Sequence, residues 1–199
     1  MAKIKRNRNG TRKDVIITKA AKLFREKGYS ATSMRDLAEH VGVEAASLYN
    51  HISSKAEILQ EICFKVATNF LTHIEEIDAS GQNPIDKIGA VLRFHIKQMV
   101  DNYEEVYVSD REWKHLTDPY LSNMQNQRRA YRQRMASMIE EGKRNGDIRD
   151  IDAPTVVLIM LHAVSGIESW HRSKKKITAE LLEENMVTIL IEGLRENKG

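Results

Sequence analysis

Residues 33–55, SMRDLAEHVGVEAASLYNHISSK, constrain this chain more than any other stretch. Ser33 is a good helix N-cap, and Asp36 three residues on completes a capping box. Leu37, Ala38 and Val41 then recur as a narrow apolar stripe, so a helix runs to about His40. Gly42 ends it, because glycine takes the left-handed turn at low steric cost. Val43 returns to the core, and Glu44 to Asn50 begins another helix within three residues. Ser54 with Glu57 is a second capping box, opening the next helix. Two short helices joined by a glycine-bearing turn of this length describe a helix-turn-helix.

The second of these helices is unusual in composition. Leu48 and Ile52 can face inward with Val43, which leaves Glu44, Ala45, Ala46, Ser47, Tyr49, Asn50 and His51 toward the open side. Small residues let a helix approach a surface closely, and Ser, Tyr, Asn and His can hydrogen-bond phosphates or base edges. The alternative is a helical corner of a bundle, with Tyr49 packed as core.

GVEAASLYNHISSKAEIL resembles the signature of the tetracycline-repressor (TetR) family: Gly-Val, a short variable stretch, Leu-Tyr-x-His-x-x-x-Lys, then an apolar helix. The preceding TSMRDLAEHVGV is similar to that family's lead-in. The likeness covers about the first 60 residues, and it departs at Ile52, where an aromatic is common; that concerns packing more than DNA. The resemblance implies a DNA-reading head, a ligand-binding body and dimerisation. Ala45, Ala46, Ser47 and Asn50 are the candidates for base edges: the alanine methyls could meet a thymine methyl, and Asn50 could pair with adenine. Tyr49, His51 and Lys55 are the candidates for phosphates, matching the family's Tyr, His and Lys. Ser33 and Arg35, at the front of the preceding helix, are further candidates.

Composition agrees with an all-α fold: 3 Pro and 10 Gly in 199 residues leave helices largely unbroken. The charge is uneven. Residues 1–55 hold 12 Lys/Arg against 5 Asp/Glu, while the rest holds 19 against 23. A basic head on an acidic body is the electrostatic layout of a nucleic-acid reader. The arm at residues 1–10, with Lys3, Lys5, Arg6 and Arg8, could follow phosphates or enter a minor groove. It has no apolar core segment, so it is not a secretory signal. No stretch reaches the roughly 18 apolar residues of a membrane span. The single Cys63 fits a reducing cytosol, and a cytoplasmic location is expected.

About nine helices are expected. The first spans about 12–27, with Ile16, Ala20, Leu23 and Phe24 on one face, and Tyr29 packs back after Gly28. The fourth spans about 54–77, the fifth 84–101, the sixth 104–116 and the seventh 118–145. The eighth starts at Asp152 and carries VVLIML; the ninth follows Thr178. The expected division is a head at 1–53 and a body at 54–199. Two apolar helices at the end suggest pairing with a second copy as a four-helix interface. A symmetric dimer would read a near-palindromic operator with half-sites about 34–36 Å apart, or a multiple of that.

In the body, Phe94, His95, Met99, Tyr103, Trp113, Met124, Met160 and Val164 are candidate walls for a long apolar ligand. Arg128, with Arg129, Arg132 and Arg134, could hold phosphates. REWKHLTDP, the Arg-rich helix ending EEGKRNGDIRDID, and HAVSGIESWHRS resemble TetR-family regulators of fatty-acid and acyl-CoA metabolism, which implies an acyl-CoA-type effector. No Cys/His group has metal-ligand spacing, and phosphate-loop, GxGxxG and HExxH patterns are absent. GIESW lacks the second glycine of a nucleophile elbow. No cofactor and no catalysis are expected. Two other readings stay open: a helical small-molecule-binding protein or enzyme with a purely structural N-terminal unit, and a sequence-independent DNA-coating protein.

Overall fold

The structure, a computed structural model, describes residues 12–173 and 177–196. The basic arm at 1–10 lies outside the described residues, as do residues 174–176. Among the described residues there are ten α-helices: α1 (Arg12–Lys27), α2 (Met34–Val41), α3 (Ala45–Tyr49), α4 (Lys55–Asp78), α5 (Pro84–Asp101), α6 (Tyr103–Arg111), α7 (Tyr120–Arg144), α8 (Ala153–Ser165), α9 (Ile167–Arg172) and α10 (Ala179–Glu192). A 3-10 turn, Trp113–His115, follows α6. The expected sixth helix is thus α6 plus this turn. The expected eighth is α8 and α9, which bend at Gly166, where the backbone N–H bonds Ala163 and His162 carbonyls together. The run 153–172 is long and apolar enough to cross a membrane, at mean hydropathy 1.3. Val156, Val157, Met160, Val164 and Ile167 of this run pack in the body core.

Local chemistry accounts for the head. The Ser33 side chain accepts from the Asp36 N–H at 3.1 Å, and the Asp36 carboxylate accepts from the Ser33 N–H at 2.9 Å. At the far end of α2, Gly42 sits at φ 82°, and the Val43 N–H reaches back to the Ala38 carbonyl at 3.0 Å. A side chain at position 42 would strain that turn. Lys19 caps the same end, donating to the Val41 carbonyl at 2.8 Å. The second capping box differs from expectation. Ser54 accepts from the Glu57 N–H, but the Glu57 carboxylate returns to the Ser53 N–H and hydroxyl, one residue earlier.

There are two cores. One joins Ile16, Ala20 and Phe24 of α1 to Leu37, Leu48, Ile52, Ile58 and Ile62, with Tyr29 packed edge-on against Phe24 at 5.2 Å. Val108, Leu116 and Met124 close it from the body side. The other lies among α4, α5, α7, α8 and α10. Helix α4 serves both, with Ile58, Leu59, Ile62 and Cys63 in the first and Phe70 and Ile74 in the second. The seam between α1 and α6 is polar. Glu105 accepts from Thr18 at 3.2 Å and from Lys65 at 2.7 Å, and Arg25 lies 5.5 Å over the Tyr103 ring.

Not every apolar residue of α8 and α10 is covered. Leu158 is 57% exposed, Ile159 53% and Ile189 71%, and Leu181 is exposed as well. The Val156–Met160–Val164 edge of α8 packs inward, while Ile159 on the same helix stays exposed.

Candidate nucleic-acid interface and ligand cavity

Leu48 is fully buried and holds α3 to the head. Removing its side chain to Ala would cost about 2–5 kcal/mol. With Leu48 inward, Glu44, Ala45, Ala46, Tyr49, Asn50 and His51 are exposed and Ser47 is half-buried. Tyr49 is 54% exposed, so the bundle-corner alternative with Tyr49 as core does not hold. Arg35 is exposed on α2, and Ser33 is engaged as the cap of that helix. The structure brings the base-edge candidates onto one outer face, as the spacing implied.

Lys55 is the exception. Its ammonium donates to the carbonyls of Thr32 at 2.7 Å, Tyr29 at 2.8 Å and Ser30 at 3.5 Å, and it lies 4.4 Å over the Tyr29 ring. An ammonium has three donors, and the turn between α1 and α2 takes them. Lys55 was expected on a phosphate; in this structure it ties the start of α4 to that turn. A long lysine stem allows either use, so its sequence position alone could not choose.

Two carboxylates of the head are strongly perturbed. Hydrogen bonds from the Ser33 hydroxyl and N–H, then Lys27, hold Asp36 down at about 2. Those from the Ser53 hydroxyl and N–H, then Lys13, hold Glu57 down at about 2. Both stay ionised at helix N-termini, where negative charge is favoured.

The body encloses a cavity of about 1030 Å³ between α4, α5, α6, α7 and α8. That is at the upper end for a small-molecule site. His95, Met99, Trp113, Met124 and Arg128 line it, as expected. Four expected wall residues do not. Phe94 turns away to stack on His73 at 3.8 Å, and Tyr103 stacks on His171 at 3.9 Å. Met160 and Val164 are buried in the body core. On α8 the cavity face is Pro154, Val157, Leu158, Leu161, His162 and Ser165, offset around the helix from Met160 and Val164. Sequence reasoning missed Tyr131 and Gln127 of α7, which also line the cavity. Their signal was the spacing of Met124, Gln127, Tyr131, Met135 and Met138, obscured by the arginines between them.

Several charged side chains belong to the cavity lining. Arg128 pairs with Asp110 at 2.9 Å and lies 5.2 Å over the Trp113 ring, and Arg111 pairs with Glu168 at 2.9 Å. Arg129, Arg132 and Lys114 also line it, and among the described residues none of them meets a carboxylate within 4 Å. Burial, then the charges of Arg128 and Arg129, pull Arg132 down from its ordinary value. Arg134 faces elsewhere, paired with Glu75 and Asp78. Cations crowded without counter-ions are a place for phosphate. Among the described residues no cluster of His, Cys, Asp and Glu could hold a metal ion.

The cavity and the head share parts. Met124 lines the cavity and belongs to the head core, and Tyr107 and Trp113 line the cavity while packing against that core. The Trp113–His115 turn reaches further, for His115 stacks on Tyr29 at 5.2 Å.

Residues 16–62 match the family model of bacterial regulatory proteins of the tetR family, and residues 81–194 match the tetracyclin repressor-like C-terminal domain. The HTH-type transcriptional repressor KstR2 of Rhodococcus jostii is 26% identical over 188 residues, covering 92% of this chain and 91% of that protein. The structure of the ketosteroid transcriptional regulator KstR2 of Mycobacterium tuberculosis superposes with a TM-score of 0.88 at 22% identity, over 94% of this chain and 97% of that one. AibR in complex with isovaleryl coenzyme A and operator DNA superposes at 0.79 and 24% identity, over 90% and 98%.

Proposed function

This chain belongs to the TetR family of bacterial regulatory proteins, and from that premise we propose that it represses transcription as a homodimer whose operator binding is controlled by an acyl-CoA-type effector. It is a DNA-binding regulator and not an enzyme. The observation that carries the effector reading is the cavity itself: an apolar slot beside Arg129, Arg132 and Lys114, cations with no acidic partner among the described residues. A thioester's acyl chain suits the slot, and the coenzyme's phosphates suit the cations. AibR, of the same fold, was crystallised with isovaleryl coenzyme A and operator DNA together.

The division of labour we propose is a reading head at 1–53 and a sensing, dimerising body at 54–199. Ala45, Ala46, Ser47 and Asn50 meet base edges; Tyr49, His51 and Arg35 meet phosphates or bases beside them; Ser33 holds α2 in place as its cap. The exposed Leu158, Ile159, Leu181 and Ile189 support pairing of α8 and α10 with those of a second copy, since an apolar patch of this kind is left bare by few monomers. A dimer of this kind works in the cytoplasm, on DNA. A ligand changes DNA affinity only if it binds two conformations unequally. Met124 and the Trp113–His115 turn are where a filled cavity would press on the head.

The test is fluorescence anisotropy with DNA from upstream of the protein's own gene, at fixed salt, with and without a long-chain acyl-CoA. Sequence-specific binding that the acyl-CoA weakens is the expected result. Asn50→Ala should alter the ranking of operator variants, and Tyr49→Phe should weaken all of them alike. Binding no tighter than to random DNA of equal length would refute the operator reading, and binding untouched by acyl-CoA would refute the effector.

A further inference from the structure

Among the described residues, two polar atoms in the cavity lining have no partner. The Tyr131 hydroxyl and the Gln127 side-chain oxygen are both sealed from solvent, and neither is hydrogen-bonded. The two residues stand four apart on α7, so they share one face of the helix. A third polar group joins them from α5. His95 lines the same cavity with its ring centroid 6.1 Å from that of Tyr131, and Phe70 of α4 lies edge-on to both, at 4.6 Å from His95 and 5.8 Å from Tyr131. Burial pushes the His95 imidazole down to about 4, with the charge of Arg128 acting the same way and that of Asp110 opposing it. It is therefore neutral at pH 7, with one donor and one acceptor. Arg128 and Asp110 are paired to each other at 2.9 Å, so this corner offers an incoming charge little unbalanced opposite charge.

Native proteins keep few buried hydroxyls unbonded, because each costs the desolvation of the group. Two neutral polar groups at one aromatic ring, with a second unbonded oxygen one turn along α7, match a neutral polar ligand group. We infer that the effector carries an uncharged oxygen function, a carbonyl or hydroxyl, in the part that reaches Phe70, and that Tyr131 and Gln127, beside His95, select for it. The inference rests on the acyl-thioester reading of the cavity and specifies the acyl group: an oxygenated acid, not a plain alkyl one. The sealed position of both atoms has a further effect. A ligand oxygen reaches them only when the lining shifts, so such a ligand favours a conformation other than this one. That is the unequal affinity a switch requires.

The experiment is titration calorimetry on the full-length protein. The probes are octanoyl-CoA and octanoyl-CoA with a keto oxygen at the third, fifth or seventh carbon, plus the N-acetylcysteamine thioesters of the same acids. At least one keto position should bind about tenfold tighter than the plain chain or better, as expected of a site built to hydrogen-bond its ligand. Tyr131→Phe should bring that ratio close to one without lowering the melting temperature of the free protein. The truncated thioesters separate the two readings. If they keep the keto preference and bind as well as the CoA forms, the cationic rim holds no phosphate while this inference stands. It is overturned by a keto preference absent from every position, by one that Tyr131→Phe leaves intact, or by no binding of any probe. A lowered melting temperature would mean that the hydroxyl already has a partner, and overturns it as well.

Discussion

Replacing Lys55 by Met separates two uses of one cation. The substitution keeps most of the stem and removes the ammonium that donates to the Thr32 and Tyr29 carbonyls at 2.7 and 2.8 Å. A hydrogen bond from a charged donor contributes about 1.5–3 kcal/mol, and the ring beneath at 4.4 Å adds about 0.5–1 kcal/mol. The site is part-buried, so water can reach some of the freed carbonyls and the ammonium regains hydration when unfolded. Discounting for both leaves about 2–3 kcal/mol. For a chain of this length that is a fall of about 4–12 °C in melting temperature. The assay is thermal unfolding by circular dichroism, run beside the salt dependence of operator binding. A phosphate contact would give a different pattern. Each neutralised phosphate contributes about 0.9 to the log–log salt slope, so losing one per protomer would lower a dimer's slope by about 2. The expected outcome is a lowered melting temperature with the salt slope unchanged. A melting temperature that stays put while the slope falls by about 2 would refute the assignment and return Lys55 to the DNA.

His95 makes stability depend on pH in a defined direction. Its folded value of about 4 lies below the ordinary 6.5, so on acidification the unfolded chain takes up a proton that the folded chain refuses. Stability from this group is present above about 6.5 and lost as pH falls toward 4; between pH 7 and 5 the loss is about 2 kcal/mol. In urea melts, His95→Phe should lose about that much less over this range, and equal losses in the two proteins would contradict the buried neutral imidazole. Ile189→Asp places a charge on the most exposed large apolar residue of α10. Sedimentation velocity should show a monomer of undiminished helicity, and a dimer of unchanged affinity would remove α10 from the interface.

The head was legible in sequence because its determinants are local. A capping box, a left-handed glycine and the single inward Leu48 act within a few residues, and the structure places each where the spacing implied. The cavity was legible only in part, because it is assembled from five helices and its lining depends on how each is rotated. One residue's difference, about 100° around a helix, separates His95 in the wall from Phe94 stacked on His73. On α8 the run VVLIML is apolar on every side, so periodicity could not tell the core edge at Met160 from the cavity edge at Leu161 or the bare edge at Ile159. Tyr131 was hidden by its neighbours Arg128, Arg129 and Arg132, whose charges made α7 read as a solvated surface. The partners of Lys55 were not legible because they are main-chain carbonyls, which no side-chain pattern reveals.

The placement of Val108, Leu116 and Met124 in the head's own core bears on how such a protein can be rebuilt. A biosensor designer who cut at residue 54 and joined this reader to a foreign sensor would leave Leu48, Ile52 and Phe24 without the lid they fold beneath. The transferable cassette is discontinuous. It needs residues 12–63 together with matching side chains at positions 108, 116 and 124 of the recipient. By the same token, natural drift toward a new effector through position 124 passes through the stability of the reader, so changes of diet and changes of address are not independent for this molecule.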